Sequence, residues 1–105
     1  MTPQQTESRL SQLSKVFLID VREPDEFAIA RIHGARLIPM QEVSKELQRL
    51  EALSDEGDLI LVCHHGVRSL QAVAWLRAHG LENCFSMTGG IDRWSREIDS
   101  GVPRY

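Results

Sequence analysis

The chain has 105 residues, of which 42% are hydrophobic and 26% are charged, and its formal net charge is -3. This composition is typical of one compact domain, and the acidic balance argues against a nucleic-acid or membrane-surface partner, because both need a clustered basic face. The first nine residues are polar and lack the apolar core of a signal peptide, and no apolar run approaches the length of a membrane-spanning helix. We therefore expect a single domain over residues 1–105, with its core from about residue 14 to residue 105, and a cytoplasmic location.

The order of the apolar runs predicts alternating strands and helices. Short β-branched runs are typical of buried parallel strands, whereas apolar residues spaced three and four apart are typical of helices. This alternation predicts an α/β domain with a mainly parallel sheet and helices on both faces. In chain order, the patterns predict strand 16–21, helix 25–29, strand 35–38, helix 42–53, strand 59–63, helix 70–79, a less apolar strand 83–87 and a final segment 91–98.

Two of the predicted strands end in residues that can carry chemistry. In parallel sheets, ligands gather at the carboxyl ends of the strands. Asp20 and Arg22 end the first strand, where they could either face a cleft or brace the sheet, and Cys63 ends the third strand. The sequence therefore places the candidate site at this edge of the sheet.

The segment from Cys63 to Ser69, which we name the cysteine loop, joins a buried strand to an amphipathic helix. Amides in the first turn of a helix have no partner within it, and the helix dipole adds a partial positive charge there, so a thiolate or persulfide anion would be stabilised. Gly66 allows the loop to turn several amides inward. Arg68 and two histidines add cationic or donor groups around the same place.

The two cysteines of the chain need different interpretations. They are too few for a disulfide framework, and neither has another cysteine at metal-ligand spacing. A cysteine in an apolar strand is usually a small core residue, which is our interpretation of Cys84. Cys63 is followed by two histidines, a glycine and an arginine, for which a core thiol has no use, so a reactive thiol is predicted there.

The adjacent His64 and His65 allow two interpretations, since they could contact a substrate or face solvent. They are weak metal candidates, because neighbouring loop residues rarely complete a site. We expect no metal and no cofactor.

The pattern Cys-x-x-Gly-x-Arg-Ser that begins at Cys63 resembles the active loop of rhodanese-like domains, including those fused to sulfur-carrier adenylating enzymes. Residues 18–39 are similar to the family's first block, and residues 87–94 are similar to its closing block. The resemblance implies a three-layer α/β/α fold with a mainly parallel central sheet. It also implies that Asp20 and Arg22 support the sheet edge and the active loop.

The same resemblance implies an enzyme of the thiosulfate sulfurtransferase type. The Cys63 thiolate would take sulfane sulfur from thiosulfate or a persulfide donor and pass it to cyanide, a thiol or a protein. Arg68, with the histidines, would hold the small anionic donor, while loop amides stabilise the persulfide. The implied substrate-binding residues are His64, His65, Gly66, Val67, Arg68 and Ser69.

Two other functions stay open from the sequence. A chain of this small size could be a relay module that receives sulfur from one protein, such as a desulfurase, and hands it to another, such as a sulfur carrier. Phosphatases and arsenate reductases of the same fold have a Cys-x5-Arg loop, whereas four residues separate Cys63 from Arg68 here. The shorter loop suits a single outer sulfur atom better than a tetrahedral oxyanion, which favours sulfur transfer.

Overall fold

The computed structural model describes residues 1–12 and 15–105, so the predicted beginning of the core at residue 14 lies outside the described residues. Within the described part, strands and helices alternate as the sequence predicts. No helix there is both long and apolar enough to cross a bilayer. The elements are α1 (Pro3–Leu10), β1 (Val16–Asp20), α2 (Pro24–Ile29), β2 (Arg36–Leu37), a 3-10 helix (Met40–Glu46), α3 (Leu47–Glu56), β3 (Asp58–Val62), α4 (Val67–Ala78), β4 (Cys84–Ser86) and α5 (Gly90–Glu97).

The four strands form one sheet in the order β2-β1-β3-β4, and each pair of neighbours is parallel. The central pair β1–β3 is the longest, with a register from Val16 opposite Asp58 to Asp20 opposite Val62. Because both strands run in the same direction and end together, the residues that follow them lie at one edge of the sheet. The predicted α/β class with a parallel sheet is confirmed.

The core consists of two clusters, one on each face of the sheet, and β3 contributes side chains to both. Leu59 and Leu61 belong to a cluster with buried residues of α3 and α4, whereas Ile60 and Val62 belong to a cluster with buried residues of α5. All four side chains are fully buried. Successive side chains of a strand point to opposite faces, so a strand covered on both faces must be continuously apolar.

Helix α1 is an element that the apolar pattern does not predict. Its exposed residues are polar apart from Leu10, and only Pro3 and Thr6 are buried in it. The local signal is a capping box, in which Thr2 and Gln5 each accept a hydrogen bond from the other's backbone amide. This helix packs against α5, so the compact unit includes residues before the predicted core.

Two predicted helices differ from the structure by more than one residue. The predicted helix 42–53 is divided into the 3-10 helix and α3, and α4 begins three residues before the predicted position 70. The side chains of Val67 and Leu70 are exposed in this first turn, so apolar periodicity does not reveal where the helix begins. The earlier beginning places the amide of Ser69 in the first turn of α4, next to the end of β3.

Asp20 and Arg22 form a fully buried ion pair after β1. Arg22 Nε and Nη2 donate to the Asp20 carboxylate at 2.9 and 2.7 Å, and other guanidinium hydrogens bind the carbonyl oxygens of Glu26 and Ala30 at α2. Burial works against the charge of Arg22, but hydrogen bonds with Asp20 and Tyr105 outweigh it and raise the pKa of Arg22. The sequence leaves open whether Asp20 and Arg22 face a cleft or brace the sheet. Their contacts join β1 to α2, which is the geometry of a brace.

Candidate active site

Cys63 lies directly after β3 and faces the beginning of α4. The residue is 1% exposed. The backbone amides of Gly66 and Ser69 donate to Cys63 Sγ at 3.0 and 3.4 Å, and the thiol donates to Ser69 Oγ at 3.4 Å. These N–H and O–H groups surround the sulfur at a helix N-terminus, which is an arrangement that stabilises an anion.

The beginning of α5 holds the cysteine loop from the other side. The amides of Ile91 and Asp92 donate to the carbonyl oxygens of Cys63 and His64 at 2.8 and 3.1 Å. A Cβ atom at Gly90 would stand 2.3 Å from the Cys63 carbonyl oxygen, so only glycine permits this approach. The two helix N-termini therefore bind different groups: α5 binds the loop backbone, and α4 faces the sulfur.

Gly66 makes the turn between the loop and α4. Its φ of +100° lies in the left-handed region that favours glycine, and it is the residue that caps the helix. A Cβ atom there would stand 3.1 Å from the backbone nitrogen of Gly89. The turn after β4 thus packs directly against the cysteine loop.

The guanidinium of Arg68 binds α2 in this structure. Its Nη1 and Nη2 donate to the two carboxylate oxygens of Glu26 at 2.6 and 2.8 Å. The hydrogen bonds from Arg68 lower the pKa of Glu26 to about 2, and the same contacts raise the pKa of Arg68, to which the charge of Cys63 also contributes. Arg68 is thus held in a bidentate ion pair in this structure, and its contact with an anionic donor stays a prediction.

Tyr105 is a site residue that the sequence does not reveal. Its hydroxyl donates to Glu26 Oε2 at 2.8 Å and accepts from Arg22 Nη1 at 2.6 Å, while its ring stacks on His64 with centroids 3.9 Å apart. The residue therefore joins the buried ion pair, the Glu26–Arg68 pair and the cysteine loop. A single tyrosine after the last predicted element belongs to no motif or periodic pattern, so no sequence signal singles it out.

His64 and His65 differ in their surroundings. His64 is half-buried between the rings of Tyr105 and His65, while His65 is exposed. Burial, followed by the charge of His65, lowers the pKa of His64, which favours its neutral form. Within the described part of the chain, Nε2 of His64 is buried and has no hydrogen-bond partner. The contact of either histidine with a substrate stays a prediction.

One cluster in the described residues has the composition of a metal site. Ligand atoms of His64, His65 and Asp92 lie within 4.8 Å of one another. However, the two imidazole rings are stacked with an angle of 26° between their planes, so their in-plane lone pairs run side by side rather than converge. Asp92 is also bound by Arg96 and Arg104 at 3.2 and 3.0 Å. This geometry does not suit a metal ion.

A groove of 570 Å³ lies beside the cysteine loop, between α4 and β4. Val67 and Leu70 at its edge are 64% and 62% exposed, and because they are three residues apart in α4 they are neighbours on the helix surface. Phe85 and Ser86 of β4 line its other side. Val67 therefore contributes an apolar surface next to the site through its side chain.

Cys84 has the surroundings of a core thiol. It is fully buried, its Sγ donates to the carbonyl oxygen of Leu81 at 3.1 Å, and burial raises its pKa. A thiol in such a place is unreactive, which agrees with its interpretation as a small core residue.

Comparisons with known proteins show what this chain is similar to. The family model described as Rhodanese-like domain matches residues 2–97. A protein named sulfurtransferase from Allochromatium vinosum is 33% identical over 95 residues, which cover 90% of this chain and 83% of that protein. The probable adenylyltransferase/sulfurtransferase MoeZ of Mycobacterium tuberculosis is 32% identical over 105 residues, which cover 100% of this chain and 26% of MoeZ.

Solved structures agree with the sequence relatives. The human single-domain sulfurtransferase TSTD1 has a TM-score of 0.80 and 27% identity, over 92% of this chain and 95% of that one. The chain spans only 19% to 30% of the length of the longer relatives that it matches. The names of the relatives support a general role in sulfur transfer or sulfur relay.

The contact of Gly90 with the loop predicts different costs for two glycine substitutions. Gly80 and Gly90 both have a positive φ, but a Cβ atom at Gly80 would meet nothing within 4 Å. We expect Gly80→Ala to lower the free energy of unfolding by about 1–2 kcal/mol through backbone strain. Gly90→Ala should cost roughly 1–3 kcal/mol more, because the carbonyls of the loop must move. Urea unfolding measures both values, and equal losses would contradict the proposed close contact.

The Glu26–Arg68 pair predicts a stability that depends on acid pH. Because the pKa of Glu26 is about 2 in the folded chain and ordinarily 4.5, its stabilisation is complete above about pH 5 and is lost as the pH falls toward 2. We expect Glu26→Gln to lower the free energy of unfolding at pH 7 by about 1–3 kcal/mol, with a difference that shrinks below pH 4.5. The matched control is Glu46→Gln, which removes an exposed pair with Arg49 and should cost below about 1 kcal/mol. A loss for Glu26→Gln that does not change with pH would contradict the ion pair.

Proposed function

The chain belongs to the family of rhodanese-like domains, and we propose that it carries sulfane sulfur as a persulfide on Cys63 and transfers it to a thiophilic acceptor. The observation that carries this proposal is the set of contacts around Cys63 Sγ: the amides of Gly66 and Ser69 donate to it, and the Ser69 hydroxyl, which accepts from the thiol, can donate to the sulfur once the thiol has lost its proton. Both the thiolate and the persulfide are anions, and these donors favour both over their protonated forms. The four-residue spacing between Cys63 and Arg68 supports sulfur rather than phosphate chemistry.

In the first step, the Cys63 thiolate attacks the outer sulfur of the donor. A new S–S bond forms, and the bond between the outer sulfur and the rest of the donor breaks. With thiosulfate as donor, the electron pair of that bond leaves with sulfite, and Cys63 holds the persulfide. The amides of Val67 and Arg68 are the first two of α4 and have no partner within the helix, so they are available to the outer sulfur.

In the second step, an acceptor nucleophile attacks the outer sulfur of the persulfide. The S–S bond breaks, its electron pair returns to Cys63 as a thiolate, and the loop is ready for another donor. The same donors stabilise Cys63 as the leaving group, so both halves of the cycle use one arrangement. This is a double-displacement cycle in which no metal or cofactor is required by the steps.

The donor is proposed to be a small sulfur anion such as thiosulfate, or a persulfide. Because Glu26 neutralises Arg68, we assign recognition of the donor chiefly to the loop amides. Arg68 is then a positioning residue that ties the first turn of α4 to α2. His65, which is exposed at the edge of the groove, is the side chain best placed to add a hydrogen bond to a donor.

A protein acceptor is a second candidate, favoured by the apolar groove beside the loop. Val67 and Leu70 expose most of their side chains within the first turn of α4, next to Gly66. A cysteine-bearing segment with apolar neighbours could occupy this groove while its thiol reaches the sulfur of Cys63. Such an acceptor would make the domain a relay between a sulfur source, such as a desulfurase, and a sulfur-carrier protein.

The persulfide predicts a mass change that depends on one cysteine. After treatment with thiosulfate and removal of excess reagent, the intact protein should gain the mass of one sulfur atom, which cyanide then removes. Cys63→Ser should abolish the gain, whereas the matched control Cys84→Ser should keep it, because Cys84 is a buried core thiol. Intact-protein mass spectrometry and a cyanolysis assay measure both. An unmodified wild-type protein that hydrolyses an aryl phosphate in a Cys63-dependent manner would instead support the phosphatase alternative.

The groove predicts separable effects on small and large acceptors. We expect Leu70→Glu to leave sulfur transfer to cyanide unchanged and to lower kcat/KM for a synthetic cysteine peptide with apolar flanking residues by about tenfold, since an exposed apolar anchor is lost. Gln48→Glu on α3 introduces the same charge on an exposed site away from the groove and should change neither rate. Equal rates with the peptide for wild type and Leu70→Glu would count against a protein acceptor in this groove.

A further inference from the structure

Cys63 is almost completely buried, so the proton of its thiol needs a path to solvent when the thiolate forms. The residue is 1% exposed, so few water molecules can reach the thiol directly. Its own hydrogen bond is donated to Ser69 Oγ at 3.4 Å, and Ser69 is itself fully buried. The proposed function requires the thiolate, so the proton must leave through, or past, this hydroxyl.

A second hydroxyl continues the path from Ser69 toward solvent. Ser86, at the end of β4, places its Oγ 2.7 Å from Ser69 Oγ, which is a short distance for two hydroxyl groups. Ser86 is half-buried and lines the groove beside the cysteine loop. The alternative acceptor for Ser69, the carbonyl oxygen of Gly66, lies farther away at 3.3 Å. The sulfur, two hydroxyls and the groove therefore form one continuous sequence of contacts.

We propose that Ser69 and Ser86 form a reversible hydrogen-bond chain that carries the proton of Cys63 to water in the groove and then stabilises the sulfur anion. In the thiol state, the S–H group points to Ser69, the Ser69 hydroxyl points to Ser86, and the Ser86 hydroxyl points to water. When each proton moves one place along the chain, the S–H bond breaks and hydronium forms in the groove. Both hydroxyls then point back toward the sulfur, which bears the negative charge.

This chain makes Ser86 a positioning residue, because it acts on the sulfur only through Ser69. In the anionic state, the Ser86 hydroxyl donates to Ser69 Oγ and so strengthens the hydrogen bond that Ser69 gives to the sulfur. The inference rests on the proposed function only in requiring the thiolate. It adds a residue from β4 that no part of the cysteine loop motif contains.

Other charged groups around the cysteine loop stay the same in the variants that test the chain. They are the Met1 ammonium, which donates to the backbone carbonyl oxygen of Ser86 at 3.0 Å, Arg77 of α4, which lines the groove, Arg68 of α4 with its partner Glu26 of α2, His64 and His65 of the loop, Asp92 of α5, and Tyr105. A change in the pH profile between wild type and a serine variant therefore reports the lost hydroxyl.

The test is the rate at which iodoacetamide alkylates Cys63 as a function of pH, followed by peptide mass spectrometry on sulfur-free protein. We expect Ser69→Ala to move the midpoint upward by about one pH unit, and Ser86→Ala by about half as much, since a hydrogen bond to a charged group is lost or weakened. In the Ser69→Ala background, adding Ser86→Ala should produce no further shift of the midpoint. The Ser86 hydroxyl acts on the sulfur only through the Ser69 hydroxyl, which this background lacks. Ser86→Thr, which keeps a hydroxyl, should have the wild-type midpoint.

Ser95→Ala is the matched control, because Ser95 is a buried serine whose hydroxyl binds the carbonyl oxygen of Val102, and it should leave the midpoint unchanged. A Ser86→Ala midpoint equal to that of wild type, or a shift of the same size in both backgrounds, would overturn the chain. Should Ser69→Ala fail to fold, the comparison of Ser86→Ala with Ser86→Thr still decides the matter. Alkylation needs no sulfur donor, so this result is independent of whether Cys63 forms a persulfide.

Discussion

The fully buried guanidinium of Arg22 is the constraint on which the arrangement of the site depends. A buried charge that loses its partner costs about 3–5 kcal/mol, so its hydrogens must be satisfied by groups brought from several parts of the chain. Asp20 supplies the counter-charge from β1, a carbonyl within α2 and one directly after it accept further hydrogens, and Tyr105 adds its hydroxyl. Because Arg22 binds both the Glu26 carbonyl oxygen and the Tyr105 hydroxyl, Glu26 and Tyr105 lie side by side. Glu26 in turn binds Arg68 at the first turn of α4.

Two helix N-termini contact the cysteine loop and stabilise different parts of it. The amides of α5 bind the loop's carbonyl oxygens, which fixes the backbone behind Cys63, and the beginning of α4 supplies donors to the sulfur itself. This division explains why glycines occur at both junctions: Gly66 makes the turn into α4, and Gly90 permits the close approach of α5. A sulfur anion is thereby stabilised by groups that are already in place before a donor arrives, so little reorganisation is needed during transfer.

Much of the fold and the centre of the site could be predicted from the sequence, because their signals are local. A continuous apolar run is what a strand covered on both faces requires, and β3 was predictable for that reason. The cysteine loop combines a strand end, a glycine and a helix beginning within a few residues, so Cys63 could be located without knowledge of the rest of the chain. The apolar pattern does not predict helix α1, because most of its residues face solvent, although the Thr2–Gln5 capping box marks its beginning.

The sequence by itself therefore determined the parallel α/β architecture, the position of Cys63 and the kind of loop around it. Only the tertiary structure decided which distant groups complete the site: Glu26 on Arg68, Tyr105 on His64, and Ser86 beside Ser69. The physical reason is that periodicity reports whether a side chain is buried, whereas a hydrogen-bond partner depends on which element is packed opposite. The carboxylate that binds the Arg68 guanidinium comes from α2, 42 residues earlier in the chain, and no local pattern around either residue predicts this pairing.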